Sequence, residues 1–165
     1  MNGTSPAARL GEAIAGSPLG TALRESVWLY PTVETIHIIG FAILIGSILV
    51  VDLRLLGVRR DVALGPLTRF VLPVSLASTL LVVPTGLLLF AAHATDLVGN
   101  RAFIVKMLLL FAAVVNALMF HAGPYRAEVA APVGTAPRGA TRVFATVSIV
   151  AWLAIVVAGR WIAYV

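Results

Sequence analysis

Cysteine is absent from the chain and charge is scarce, with Lys, Arg, Asp and Glu making up 12% of 165 residues. Without cysteine there is no disulfide, thiolate metal centre, iron–sulfur ligation or covalent haem attachment motif. So little charge cannot solvate the surface of a water-soluble domain this size, whereas 60% of the residues are hydrophobic and the mean hydropathy is +1.01. Also missing are a nucleophile–base pair, a phosphate-binding loop and paired carboxylates, so hydrolysis and phosphoryl transfer are not expected. The N-terminus lacks a basic region followed by an apolar core, and no cleaved signal peptide is expected. The net charge of +5 comes without a basic stripe interleaved with aromatics, which argues against a nucleic-acid partner.

What the chain has in abundance is uncharged length. Residues 35–51, 70–95, 107–125 and 143–159 carry no Asp, Glu, Lys or Arg. Each run, with flanking charges snorkelling, is long enough for a helix to cross ~30 Å of hydrocarbon. The expected fold is all-α: a four-transmembrane-helix, up-down bundle embedded in a lipid bilayer. Spans are placed at about 31–55, 69–95, 102–121 and 141–164. Pro31 suits the first turn of span one, where its missing N–H costs nothing, and Pro73 and Pro84 predict a bend in span two. Residues 1–27 hold breakers and a weak amphipathic pattern, Leu10, Ile14, Leu19 and Leu23, read as one or two short helices on the membrane surface. Residues 28–165 then form the transmembrane domain. The segment 122–140, rich in Gly, Pro and Ala, reads as an irregular loop.

Orientation follows from the basic residues. The connections 53–69 and 122–142 hold seven arginines, Arg54, Arg59, Arg60, Arg69, Arg126, Arg138 and Arg142, against Arg9, Arg24 and Arg101 on the opposite side. The positive-inside rule puts both termini on the non-cytoplasmic side of a bacterial inner membrane. Trp28 and Tyr30, and then Trp161 and Tyr164, mark the outer interface.

Against this apolar background the polar residues stand out. Glu34 and His37 in span one, His93 in span two, Lys106 in span three and Arg160 in span four all count to within roughly 5–9 Å of the outer boundary at 1.5 Å per residue. Ionisable groups at membrane depth are costly and need a partner, a cavity or a cofactor. Glu34 and His37 are three apart and share a helix face; Gly40 continues that face, and Gly86 lies two turns below His93.

Three readings fit such a layer. In the first, one b-type haem is ligated by His37 and His93, with Lys106 and Arg160 on its propionates, its edge over Gly40 or Gly86, and Glu34 orienting an imidazole or Lys106. The protein would then pass electrons between membrane quinol and an outside acceptor, with a homo-oligomer able to share ligands. In the second, Glu34, His37 and His93 hold a metal ion such as copper, although two nearby cations oppose a divalent ion. In the third, the protein is a structural subunit without cofactor: Lys106 and Arg160 snorkel, Glu34 pairs with Lys106, and His93 sits at the interface. His121 reads as a helix-terminal cap, Asn116 as an interhelical hydrogen bond, and Asp52 with Arg54 as a salt-bridged interfacial turn.

The string Trp28-Leu-Tyr-Pro-Thr-Val-Glu34-Thr-Ile-His37-Ile-Ile-Gly40, with Gly46 and Asp52-Leu-Arg-Leu-Leu-Gly57, resembles an uncharacterised bacterial family of small four-helix inner-membrane proteins. Thr85-Gly86, Asn100 with Phe103 and Lys106, Asn116 with His121, and Gly159-Arg160 through Ala163-Tyr164 extend the likeness from about residue 19 to the end. The resemblance implies the fold and no reaction. A fainter similarity runs to di-haem membrane cytochromes b and copper-resistance D-type membrane proteins. Di-haem proteins need four histidines, and this chain has three, so at most one haem per chain is implied.

Overall fold

A computed structural model describes residues 6–165. Among these the chain is helical, with no strand. Two short helices, α1 (Pro6–Ala15) and α2 (Pro18–Glu25), precede the long ones. These are α3 (Leu29–Leu55), α4 (Leu64–Ala92), α6 (Arg101–Ala122) and α8 (Gly139–Trp161), with α5 (Ala94–Leu97) and α7 (Tyr125–Val129) as short links and a 3₁₀ turn at Ile162–Tyr164. All four long helices are long and apolar enough to cross a membrane. Their outward faces carry Leu76, Leu80, Leu108, Phe111, Leu118 and Val150, all exposed. Such a surface is stable against lipid and not against water.

The local chemistry of each helix is ordinary. Pro18 opens α2 behind Ser17, whose Oγ accepts the Gly20 N–H at 3.2 Å. Asn100 caps α6 by accepting the Phe103 N–H at 3.0 Å. The Asn100 amide also donates to the carbonyls of Ile162 (3.1 Å) and Val165 (2.6 Å), tying the chain's end to the start of α6. α4 runs unbroken through Pro73 and Pro84. It begins five residues before the expected start and ends at Ala92, so His93 is its cap. The segment 122–140 contains α7, one turn of helix that the composition did not announce.

α3 pairs most closely with α4, and α6 with α8, while α3 meets α8 between the pairs. Three apolar clusters fill the bundle from end to end. Leu23, Val33 and Ala92 pack at the end that carries the termini, here the terminal end. Ala113, Ala151 and Ile155 pack in the middle, and Leu55, Leu64, Phe120 and Ala145 pack at the loop end. The N-terminal helices dock on the terminal end through their small residues, Gly11, Ala15 and Gly20, with Leu23. A Cβ on Gly20 would lie 2.8 Å from the Ala91 carbonyl oxygen, so only glycine allows that approach. Arg24 completes the contact by donating to the Ala92 carbonyl at 3.0 Å. Of the amphipathic set, Leu23 is buried against the bundle while Leu10 and Leu19 are exposed.

The α3–α4 loop turns through Gly57 and Arg59, both at positive φ. Exposed Arg59 donates two hydrogen bonds to Asp61, and this holds the Asp61 carboxyl below its usual range.

Candidate functional site

Span one offers His37 to α4. Its Nδ1 lies 3.1 Å from the Val82 carbonyl and 3.0 Å from the Thr85 hydroxyl. A carbonyl only accepts, and Thr85 spends its own hydrogen on the Leu81 carbonyl at 2.7 Å. The hydrogen in these contacts therefore belongs to Nδ1, and the neutral ring keeps its lone pair on Nε2. Nε2 makes no hydrogen bond among the described residues. The close fit depends on Gly86, where a Cβ would stand 3.0 Å from His37 Cε1.

Phe41, one turn further along α3, stacks on His37 with ring centroids 6.0 Å apart and meets the Trp152 ring of α8 at the same distance. The Lys106 ammonium of α6 sits 5.8 Å from the Phe41 centroid and beside Gly159, 3.6 Å from where a Cβ would be. Lys106 has no hydrogen bond or ion pair among the described residues. Four helices thus meet around Phe41, bringing a tethered imidazole with a free nitrogen and an uncompensated ammonium to one aromatic ring. Neither Phe41 nor Trp152 was singled out from the sequence. The i+4 spacing of Phe41 from His37 was the available signal.

The other expected members of the layer lie elsewhere. His93 packs edge-on to Tyr30 at 5.1 Å, with Nδ1 3.8 Å from the Asp96 carboxylate. Tyr30 is seven residues before His37 and His93 seven after Gly86, so this pair stands about 10 Å nearer the terminal end. Phe90 and Phe103 stack at 5.5 Å between the two levels. The imidazoles of His37 and His93 therefore do not face each other. Arg160 turns to its own helix end, bonding the Tyr164 hydroxyl with its guanidinium 4.9 Å from that ring's centroid. Glu34 is exposed and forms no ion pair with Lys106. Gly40 and Gly86, expected beneath a cofactor edge, are covered by Leu81 and Val82 and by His37 itself. No group of three or more His, Asp or Glu side chains converges among the described residues.

At the loop end, Asp52 and Arg54 are both buried but not paired, which corrects the salt-bridged turn expected there. Residues two apart leave a helix on different faces. The Asp52 carboxyl lies beside the Ser148 hydroxyl of α8, and its Oδ2 is buried without a hydrogen-bond partner among the described residues. Arg54 donates to the Val62 carbonyl at 2.7 Å and the Arg60 carbonyl at 3.4 Å. Asn116 makes the expected interhelical bond, to the Phe144 carbonyl of α8 at 3.1 Å, and His121 bonds the Ala117 carbonyl in the last turn of α6.

Four apolar helices around internal polar groups define a multi-pass membrane protein of the helical-bundle class. Over residues 16–165 the chain matches the model of a family of unknown function, DUF6644, and it belongs to that family. No curated protein and no solved structure matches it.

Proposed function

We propose that this is an inner-membrane protein, with both termini outside the cytoplasm, that binds one b-type haem between its helices through His37 and serves membrane electron transfer. One observation carries the reading: His37 is held through Nδ1 by a backbone carbonyl and a hydroxyl, leaving Nε2 as the ligating atom. That outer-sphere bond fixes tautomer and ring orientation, the usual arrangement for an imidazole that binds a metal. Lys106, without an anionic partner at membrane depth, supplies the cation that a propionate needs. Phe41 touches both groups, and Trp152 packs on Phe41.

His37 would hold such a group and His93 would not, because His93 stands two turns away beyond the Phe90–Phe103 stack. A haem held here would supply reversible one-electron chemistry, its potential tuned by the axial ligand and burial. The chain's own contribution is to orient His37, to neutralise a carboxylate with Lys106 and to keep the site dry. A quinol arriving through the bilayer is the donor class that suits this depth, and a second copy of the chain is one source of an opposite ligand. The orientation rests on the arginine distribution.

The test is an absorption spectrum of protein purified from haem-replete cells, air-oxidised and then reduced with dithionite. A Soret shift and an α-band are expected, lost in His37→Ala, retained in His93→Ala and weakened in Lys106→Met. A colourless preparation overturns the haem reading. Stoichiometric copper in that preparation, lost in His37→Ala, puts a metal-binding protein in its place; neither chromophore nor metal leaves a structural subunit. A bis-imidazole spectrum that collapses in His93→Ala would show that the two histidines meet after all.

A further inference from the structure

At the opposite end of the bundle, a cavity of about 290 Å³ opens between the α3–α4 loop, the start of α4 and the 129–135 segment. This approaches the lower limit of small-ligand sites, ~300 Å³. Three kinds of positive group line it. Arg54 is only 9% exposed, and its Nε and one Nη are spent on loop carbonyls. Its other Nη makes no hydrogen bond among the described residues. Arg69 stands at the cavity exposed and without any partner among those residues. The third is the start of α4, where Ala63 supplies no side-chain cap. The Leu64 and Gly65 N–H groups there carry the positive end of the helix dipole.

One carboxylate also lines the cavity, that of Glu128, and it is already engaged. One of its oxygens accepts the Arg138 N–H at 3.1 Å and the Thr141 hydroxyl at 2.8 Å. Two guanidiniums and an uncapped helix start against one engaged carboxylate leave a net positive, partly buried pocket. Exposed Phe70 and Val133 offer apolar surface near it.

We infer that this cavity binds a phosphate-bearing anion, Arg54 and the α4 N-terminus forming its floor and Arg69 its mouth. Guanidinium forks and free backbone N–H groups are the donors that phosphate oxygens take. Basic pockets between spans on the arginine-rich side of a membrane bind anionic lipid headgroups by this chemistry. The same donors would take a free phosphate. This inference is independent of any ligand at His37.

The experiment uses the full chain in a neutral detergent, with thermal unfolding followed as phosphatidylglycerol, phosphatidylcholine or inorganic phosphate is added. Phosphatidylglycerol is expected to stabilise the protein at lower concentration than phosphatidylcholine. Arg69→Gln removes a cation without breaking a hydrogen bond or ion pair among the described residues, and is expected to weaken phosphatidylglycerol about fivefold. Glu128→Gln, which keeps the accepting oxygen and removes the charge, is expected to tighten it by a similar factor. Saturable stabilisation by inorganic phosphate with the same variant dependence identifies a soluble anion as the occupant; a response to the lipid alone identifies a headgroup. Equal response to both lipids with none to phosphate, or unchanged binding in both variants, overturns the inference.

Discussion

The contact between Gly86 and His37 gives a sharp test of the α3–α4 interface. Gly86→Ala has two opposed effects. In a helix interior alanine is better than glycine by about 0.8–1 kcal/mol. Against that, the new methyl stands 3.0 Å from His37 Cε1 and 3.6 Å from Nδ1, and overpacking of this kind costs about 1–3 kcal/mol. The ring cannot simply swing away, because doing so gives up its bonds to Val82 and Thr85. The net expectation in the native background is a loss of between about zero and 2 kcal/mol. In a His37→Ala background the obstruction is gone, and the same change should stabilise by about 1 kcal/mol. The double-mutant cycle therefore carries a coupling of about 1–3 kcal/mol, all of it from one methyl against one ring. Reversible unfolding of the four proteins in mixed micelles measures it. If Gly86→Ala shifts stability equally with and without the histidine, the ring does not lie on Gly86.

Two further outcomes follow from single groups. Asn100→Ala removes the cap of α6 and both bonds to the last residues, and should cost about 1–2 kcal/mol; hydrogen exchange should quicken at 162–165, and unchanged protection there would refute the double role. Asp52→Asn keeps the shape of the side chain while removing a buried ionisable carboxyl with one unpartnered oxygen. Since such a group costs about 1–3 kcal/mol, the variant should unfold no more easily than the native chain, and a clear loss of stability would mean that the carboxylate has a partner.

The bundle was legible because membrane spans announce themselves by length and absence of charge, a signal that needs no knowledge of neighbours. His37 was legible for a related reason, since an imidazole that deep must be satisfied by something. The rest of the layer was not. Counting residues from helix ends treats four helices as parallel rods with sharp boundaries, and α4 ends three residues earlier than its apolar run does. That difference makes His93 the cap of α4, set against Tyr30. Depth along a helix also says nothing of azimuth. Glu34 and His37 share a face in sequence terms, yet only His37 reaches across to α4. Arg160 finds Tyr164 on its own helix, a contact that serves the charge locally. The neighbour of Lys106 is a phenyl ring and not the carboxylate of Glu34. The link between Asp52 and Ser148 joins positions 96 residues apart, which no local pattern encodes.

The distribution of interhelical polar bonds has a mechanical meaning. α3 and α4 are riveted at two depths, by His37 to Val82 and Thr85 and by the Ser47–Ser75 hydroxyl pair at 2.7 Å. α6 and α8 are riveted near both ends, by Asn116 to Phe144 and by Asn100 to the tail of α8. Across the join between these hairpins the contacts toward the terminal end are soft, Phe41 against Trp152, Lys106 over Phe41 and Phe90 on Phe103, whereas hydrogen bonds cross it at the loop end, between the Thr68 and Tyr125 hydroxyls at 3.0 Å and from the Gly134 N–H to the Arg60 carbonyl at 2.9 Å. The bundle is thus two stiff levers sharing a greased seam. Sliding within a hairpin breaks hydrogen bonds in hydrocarbon, whereas spreading the hairpins around Phe41 parts rings. The cheapest deformation of this molecule is therefore the one that parts the rings around His37 and Lys106.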